Sequence, residues 1–445
     1  MMRRRTFLGG AASLAALSPT IALAQGGRTA VVLWHAMTGA LADELNKLVA
    51  RFNASQKTAT VTTVFKGGYP QTLTAAIAAW RAGQAPHIAQ VFDVGTGSMI
   101  AAGPAVKPLW QLVKETGVAI PPAHYVPAIR GYYSLEDGRM AALPFNSSTA
   151  VMWYDKDAFE KAGLDPETPP ATWPEVVKAA ETLKAKNAAR YAVTTSWPAW
   201  VHFEQFASIH NVPYATEDDG FKGLDSELLI DSSPFAANLQ RLLDMAKSGT
   251  FKYAGRGSAG DRVFYAGAAA IAFGSSGMRG NLVKSAKFRW ADAYLPYDPA
   301  VIAKPINSII GGASFWTMTA PHRTAVEYKA VAEFLAFLGK PDQDADWSAQ
   351  TGYVPVTLGG FAKLKRDGFF AKNPGTEVPI RQLSRGPVTN NSRGIRLGNM
   401  PEIRVIILEE WERAMESHAS AKDVLAKVVE RGNKVLRAFQ KSVAD

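Results

Sequence analysis

TAVVLWHAMTGALADELNKLVARFNASQKTATVTTVFKGGYPQTLTAAIAAWRAGQAPHIAQVFDV, residues 29–94, carries the pattern that decides the fold. Thr29–Leu33 is a short apolar strand with Trp34 and His35 at its carboxyl end. From Ala40 onward Leu41, Leu45, Leu48, Val49 and Phe52 recur at helical spacing, which gives one buried face. Thr58–Phe65 is β-branched and reads as a second strand. Leu73, Ile77 and Trp80 mark one side of a second helix, stopped at Gly83 with Pro86 beyond it, and His87–Val94 is a third strand. Strand and helix alternating at this spacing predict a parallel sheet with right-handed crossovers. Ligands on such sheets sit beyond the carboxyl ends of the strands, so residues 34–37, 66–69 and 92–97 are the places to look.

The alternation continues outward. After a break at Pro121-Pro122 and the Asp137-Gly138 turn, Pro144–Thr149 leads into a strand over Ala150–Tyr154. Thr172-Trp173-Pro174-Glu175 is a capping box opening a helix whose Val176, Ala180 and Leu183 face inward. Further strands are expected over Ala268–Phe273 and Ser308–Met318, the second interrupted by Gly311-Gly312. Helices are expected over Ala325–Leu338, Gln343–Thr351, Pro401–His418 and Ser420–Lys441. With no fixed-period repeat and no low-complexity linker, the long chain reads as two α/β lobes with chain crossings between them.

At the other end, Met1–Arg5 carry three arginines, Phe7–Leu23 is apolar, and Ala22-Leu23-Ala24 is a small-x-small exit. Residues 1–24 read as a secretory signal peptide. Arg4-Arg5-Thr6-Phe7-Leu8 fits the twin-arginine export pattern, although three consecutive arginines also suit an ordinary secretory leader. Beyond residue 24 no stretch approaches the 18 or so apolar residues of a membrane span. The 445-residue chain has 47% hydrophobic residues, no cysteine and a net charge of +10. That excludes global disorder, a disulfide scaffold, thiolate metal sites and a cysteine nucleophile. Seven scattered histidines lack HxH or HExxH spacing, which argues against a zinc hydrolase. The basic excess is spread along the chain without aromatic interleaving, so no nucleic-acid module is indicated.

Local motifs divide by context. Gly255-Arg256-Gly257-Ser258-Ala259-Gly260 matches GxGxxG, but Lys252-Tyr253-Ala254 makes a poor preceding strand and Asn281–Val283 brings no acid, so it reads as a flexible loop. Gly274-Ser275-Ser276-Gly277, between a strand and a helix start, could hold an anion or merely cap the helix. Gly311-Gly312 in a strand implies a bulge or a close approach of a ligand to the backbone. Trp197 and Trp200 are core residues or a stacking wall over a ligand. Glu136-Asp137 and Asp218-Asp219 read as solvated turn acids.

Together, Leu33-Trp34-His35, Lys66-Gly67-Gly68-Tyr69, Gln90–Thr96, Pro144–Thr149, Lys156–Phe159, Ile309–Ser314, Lys372–Gly375 and Arg396–Pro401 carry a resemblance. The chain resembles the glycerol-3-phosphate-binding branch of the periplasmic solute-binding proteins of ATP-driven importers, in the same class as the maltose-binding proteins. The resemblance implies a two-lobed α/β fold with a hinge and a ligand cleft. The lobes would be 25–147 with 303–360 and 148–302 with 361–445. It places Tyr69 and Asp93 at the glycerol end and Ser148, Ser275, Gly312, Tyr353 and Arg404 at the phosphate, with Trp197 stacking beside the glycerol chain and Trp200 near it. The acid would stay clear of the phosphate. The enteric form of the family has glutamate where this chain has Asp93, and the shorter side chain leaves room for a larger headgroup such as that of glycerophosphocholine. The resemblance further implies a periplasmic monomer without metal, cofactor or catalytic step. Its partners would be permease and ATPase subunits of an importer. A neutral-sugar-binding protein and an exported hydrolase are the rival readings.

Overall fold

A computed structural model describes residues 27–417 and 419–444, and the leader read over residues 1–24 lies outside them. Among the described residues the strands are β1 (Thr29–His35), β2 (Ala59–Phe65), β3 (Ile88–Phe92), β4 (Val106–Lys107), β5 (Leu143–Ser148), β6 (Ala150–Asp155), β7 (Tyr191–Thr195), β8 (Phe251–Tyr253), β9 (Ala269–Ser275), β10 (Trp290–Ala293) and β11 (Gly311–Met318). They form two sheets, one ordered β2-β1-β3-β11-β4 with β5 also on β11, the other β10-β6-β9-β7-β8.

The first helix shows how sequence becomes core. It spans Ala40–Ser55, and Leu45, Leu48, Val49 and Phe52 are all buried, as the spacing requires. The Phe52 ring meets Phe334 and Phe337 edge-on at 5.1 and 5.5 Å, tying this helix to Ala325–Leu338. Each such side chain contributes about 1.5–3 kcal/mol by leaving water. At the end of the helix the Gln56 side chain ties its last turn to the start of β2. Gln56 Nε2 donates to Phe52 O and Ala59 O, while Oε1 accepts from Thr58 N. The capping box at Thr172 forms as expected, and Thr324 with Glu327 makes a second one.

The first sheet is mixed: the three strands of residues 29–94 pair in parallel as expected, and strands from later in the chain add antiparallel pairings. β1 runs parallel to β2 and β3, but β11 is antiparallel to β3, β4 and β5. β11 comes back from the second sheet's side of the molecule, so it enters in the opposite direction. It starts only at Gly311; residues 308–310 are instead part of a crossing between the sheets. That crossing lies against the β5–β6 connection, where the Thr149 hydroxyl bonds Ser308 Oγ (2.8 Å) and Ile309 O (2.9 Å). Lys252 and Tyr253, expected to be poor strand formers, lie in β8, held by parallel pairing to β7. Asp219, expected in solvent, is buried at the end of a left-handed turn, where Oδ1 accepts from the amides of Tyr214 and Ala215.

Candidate ligand-binding cleft

Each lobe presents strand ends to a common cavity of about 250 Å³. From the first sheet come Ala36–Thr38 beyond β1, Tyr69 after β2, Asp93 after β3 and Ser148 at the end of β5. The strand ends singled out by the sequence therefore line this cavity. Tyr69 is the first residue of a helix (Tyr69–Arg81) that Gly67, at φ 91°, turns the chain into. Its hydroxyl is positioned by a buried polar relay. Gln90 accepts from Ala36 N (2.8 Å) and donates to Asn146 Oδ1 (2.8 Å), and Asn146 Nδ2 donates to Tyr69 Oη (2.9 Å).

The second sheet contributes Ser275, whose Oγ accepts from Gly277 N at 3.1 Å, so the capping reading of this loop holds and the serine also lines the cavity. Trp197 leaves β7 in a left-handed conformation (φ 51°), pinned by its amide on Gly257 O. Its ring faces Tyr69 at 6.2 Å between centroids, and Tyr69 stacks on Phe92 at 5.5 Å and 7°. Trp200 is buried against Gly311, so it serves both core and cavity wall. The loop over 255–257 backs Trp197 and is not a dinucleotide turn. Gly312, Tyr353 and Arg404 complete the lining, so all nine residues expected from the sequence converge.

Their electrostatics differ from the expected layout. Arg404, on the helix Met400–Ser417, donates from Nε to Glu204 Oε1 (2.6 Å) and from Nη2 to Glu204 Oε2 (2.7 Å) and Asp93 Oδ2 (3.0 Å). The acid and the arginine are thus neighbours, not opposite ends of the site. Glu204, invisible as a motif because it lies in an apolar helical turn, forks the guanidinium from behind. Among the described residues Arg404 Nη1 has no hydrogen-bond partner, which leaves that end of the fork for a ligand. Burial opposes the charge on Arg404, but Glu204 and Asp93 outweigh it and hold the guanidinium firmly protonated. Burial raises Asp93 to about 6 against the pull of Arg404, with Glu204 adding repulsion. Asp261, also missed, lines the cavity with its Oδ1 on the Ser196 hydroxyl, and burial lifts it to about 7. Its one sequence signal was its place directly after Gly260 at a helix start.

These shifts set a pH dependence of stability. Burial holds Asp93 and Asp344 at about 6 and Asp219, Asp261 and Asp292 at about 7. Between about pH 4 and 7 the fold keeps protons that the unfolded chain has released, so stability falls as pH rises. Buried His202 and His210, lowered to about 3 and 4, act the other way below about pH 6.5, and His35 and His87 are lowered in the same direction. The five carboxyls outweigh them. Scanning calorimetry is expected to give a Tm a few degrees higher at pH 5.5 than at pH 8, and a Tm that rises over that interval would contradict the assignment.

Comparison with known proteins agrees with this architecture. The family model for bacterial extracellular solute-binding proteins matches residues 38–345. The sn-glycerol-3-phosphate-binding periplasmic protein UgpB of Rhizobium meliloti is 42% identical over 405 residues, 91% of this chain and 93% of the relative. The protein of the same name from Escherichia coli is 40% identical over 415 residues, 93% of this chain and 94% of the relative. Among solved structures, UgpB from Mycobacterium tuberculosis in complex with glycerophosphocholine superposes with a TM-score of 0.77 at 22% identity, covering 93% of this chain and 100% of that one. The cyclic alpha-maltosyl-1,6-maltose binding protein from Arthrobacter globiformis gives 0.71, also at 22% identity, with 93% and 100% covered. The two-lobed architecture, the strand-end cleft and these matches together establish that the chain belongs to the bacterial extracellular solute-binding protein family, as a periplasmic member.

Proposed function

We propose that this chain is the substrate-binding component of an ABC importer. It captures glycerol-3-phosphate or its diesters in the periplasm and delivers them, as a monomer, to permease and ATPase subunits without making or breaking a bond. The lobes that close on the ligand are 25–147 with 303–360 and 148–302 with 361–445. The observation that carries the reading is the convergence of Ser148, Ser275, Gly312, Tyr353 and the free Nη1 of Arg404 on one cavity that also holds Tyr69 and Asp93. Neutral donors and one guanidinium edge suit a phosphate.

The charge balance favours the diester. Glu204 and Asp93 both pair with Arg404, the one arginine lining the cavity among the described residues, and Asp261 adds a further acid to the wall, so a dianion is poorly matched whereas a zwitterion is accommodated. The aromatic rings of Tyr69, Trp197 and Trp200 offer cation–π contact to a quaternary ammonium headgroup. Calorimetric titration of ligand-stripped mature protein tests this. Glycerophosphocholine is expected to bind one-to-one near micromolar, about −8 kcal/mol, and more tightly than glycerol-3-phosphate. Binding of maltose alone, or of none of the three, would overturn the reading.

A further inference from the structure

The crossing residues 307–310 line a second and larger groove of about 890 Å³. Its walls come from both halves of the molecule. Arg130 and Ser134 stand on one side, Lys222, Arg393 and Arg396 on the other, and Glu136 is the one acid lining it among the described residues. Asp218 lies just outside, pairing with Lys222 (2.9 Å) and more loosely with Arg393 (3.4 Å).

Arg396 is the anomaly. It is only 8% exposed, yet among the described residues no carboxylate lies within ion-pair distance of it. Its Nη2 is spent on the carbonyls of Gly131 and Tyr132, Nε is buried with no partner, and Nη1 has none either. The guanidinium lies over the Phe221 ring at 4.1 Å, and Arg393 covers that same ring at 4.0 Å, so two cations are stacked on one aromatic. A buried charge without a counter-charge is costly, and like charges this close add to the cost. Burial lowers Arg396 only to about 10, so it stays charged at neutral pH. The fold therefore maintains an uncompensated cation facing an open groove.

We propose that this groove is a second ligand site, specific for a small oxyanion of the sulfate or phosphate type. Arg396 is its buried anchor, and Arg393 and Arg130 are its outer donors. A tetrahedral oxyanion would accept from the unpartnered Nη1 of Arg396 and turn its other oxygens to Arg393 and Arg130, the charge-assisted pairing that guanidinium groups favour. The site is wired to the cleft. Tyr132, whose carbonyl Arg396 grips, places its hydroxyl 2.8 Å from Ile395 O and 3.0 Å from Asp93 O, and Asp93 bonds Arg404.

Equilibrium dialysis of the full mature chain with radiolabelled sulfate, at ionic strength held constant with chloride, tests the proposal. Wild type is expected to bind one sulfate per chain with Kd about 1 mM or tighter. Arg396→Met should weaken this by about tenfold or more. Because Arg396→Met removes a buried side chain and could unfold the chain, partly exposed Arg130→Gln and Arg393→Gln serve as second variants, each expected to weaken binding about threefold with Tm unchanged. Arg404→Ala distinguishes this groove from the cleft and should leave sulfate binding intact if folded. Loss of binding in Arg404→Ala with retention in the groove variants would place the anion in the cleft and overturn the proposal. So would the absence of stoichiometric sulfate binding by wild type.

Discussion

Arg404→Ala is expected to abolish ligand capture and to cost about 3–5 kcal/mol of stability at neutral pH. Two separate interactions are lost. The free Nη1 goes, and with it the one guanidinium lining the cavity among the described residues. Removing the cation also strands Glu204 and Asp93, which are 1% and 5% exposed, as buried carboxylates without a counter-charge. The stability loss should shrink at pH 5, because Asp93, already raised to about 6 beside Arg404, would then be protonated and its desolvation relieved. Arg404→Lys separates the two effects. A lysine keeps the charge and much of the stability, but it cannot fork Glu204 and still present a second edge, so ligand affinity should remain lost. Calorimetry and thermal melts at the two pH values read both quantities. Unchanged ligand binding by a folded Arg404→Ala would remove the guanidinium from the site.

Gly312→Ala is expected to destabilise the chain by more than about 4 kcal/mol, the range reserved for a specific structural break. Gly312 sits at φ 91°, where a side chain is strained in any surroundings, and its Cβ would stand 1.8 Å from the Asn146 carbonyl oxygen and 2.9 Å from the carbonyl carbon. Neither is a flexible side-chain end, so β5 itself must move. That movement would disturb Asn146, and through it the Tyr69 hydroxyl, so a folded remnant should also bind ligand weakly. Gly311→Ala differs in kind. Its Cβ would meet the Trp200 ring at 2.3 Å, an obstacle that can shift with its side chain, so the main effect should fall on the cavity wall. Urea denaturation of the two variants gives the comparison. A Gly312→Ala chain within about 1 kcal/mol of wild type would mean that the close approach of β11 to β5 is not as described.

Gly311-Gly312 shows where sequence reading reaches its limit. Two glycines in a β-branched run implied a bulge or a close approach of a ligand to the backbone. The register does shift, one residue on, between Ala313 and Ser314, and what abuts Gly312 is the Asn146 carbonyl of β5. Which strand would lie opposite was not legible, because β5 ends more than 160 residues before β11 begins. The nine cleft residues were legible for a different reason. Tyr69 and Asp93 follow strands, where an α/β sheet places its ligand, and the others lay in segments of family resemblance. Glu204 and Asp261 carried no such marker. A glutamate in an apolar helical turn and an aspartate after a loop glycine are each most simply solvated until the neighbouring lobe buries them.

The amino-acid sequence by itself determined the helices and strands, the strand-end location of the cleft and the family. The elements and the strand ends rest on periodicity, caps and turns whose physical range is a few residues along the chain, and the family rests on the segments of resemblance. Tertiary structure alone decided the charge layout. Arg404 reaches Glu204 across 200 residues and Asp93 across 311, and Arg396 is left unpaired because it grips the carbonyls of residues 131 and 132, more than 260 positions earlier. Ion pairing and desolvation depend on which surfaces the two lobes bring together, and no local pattern records that distance.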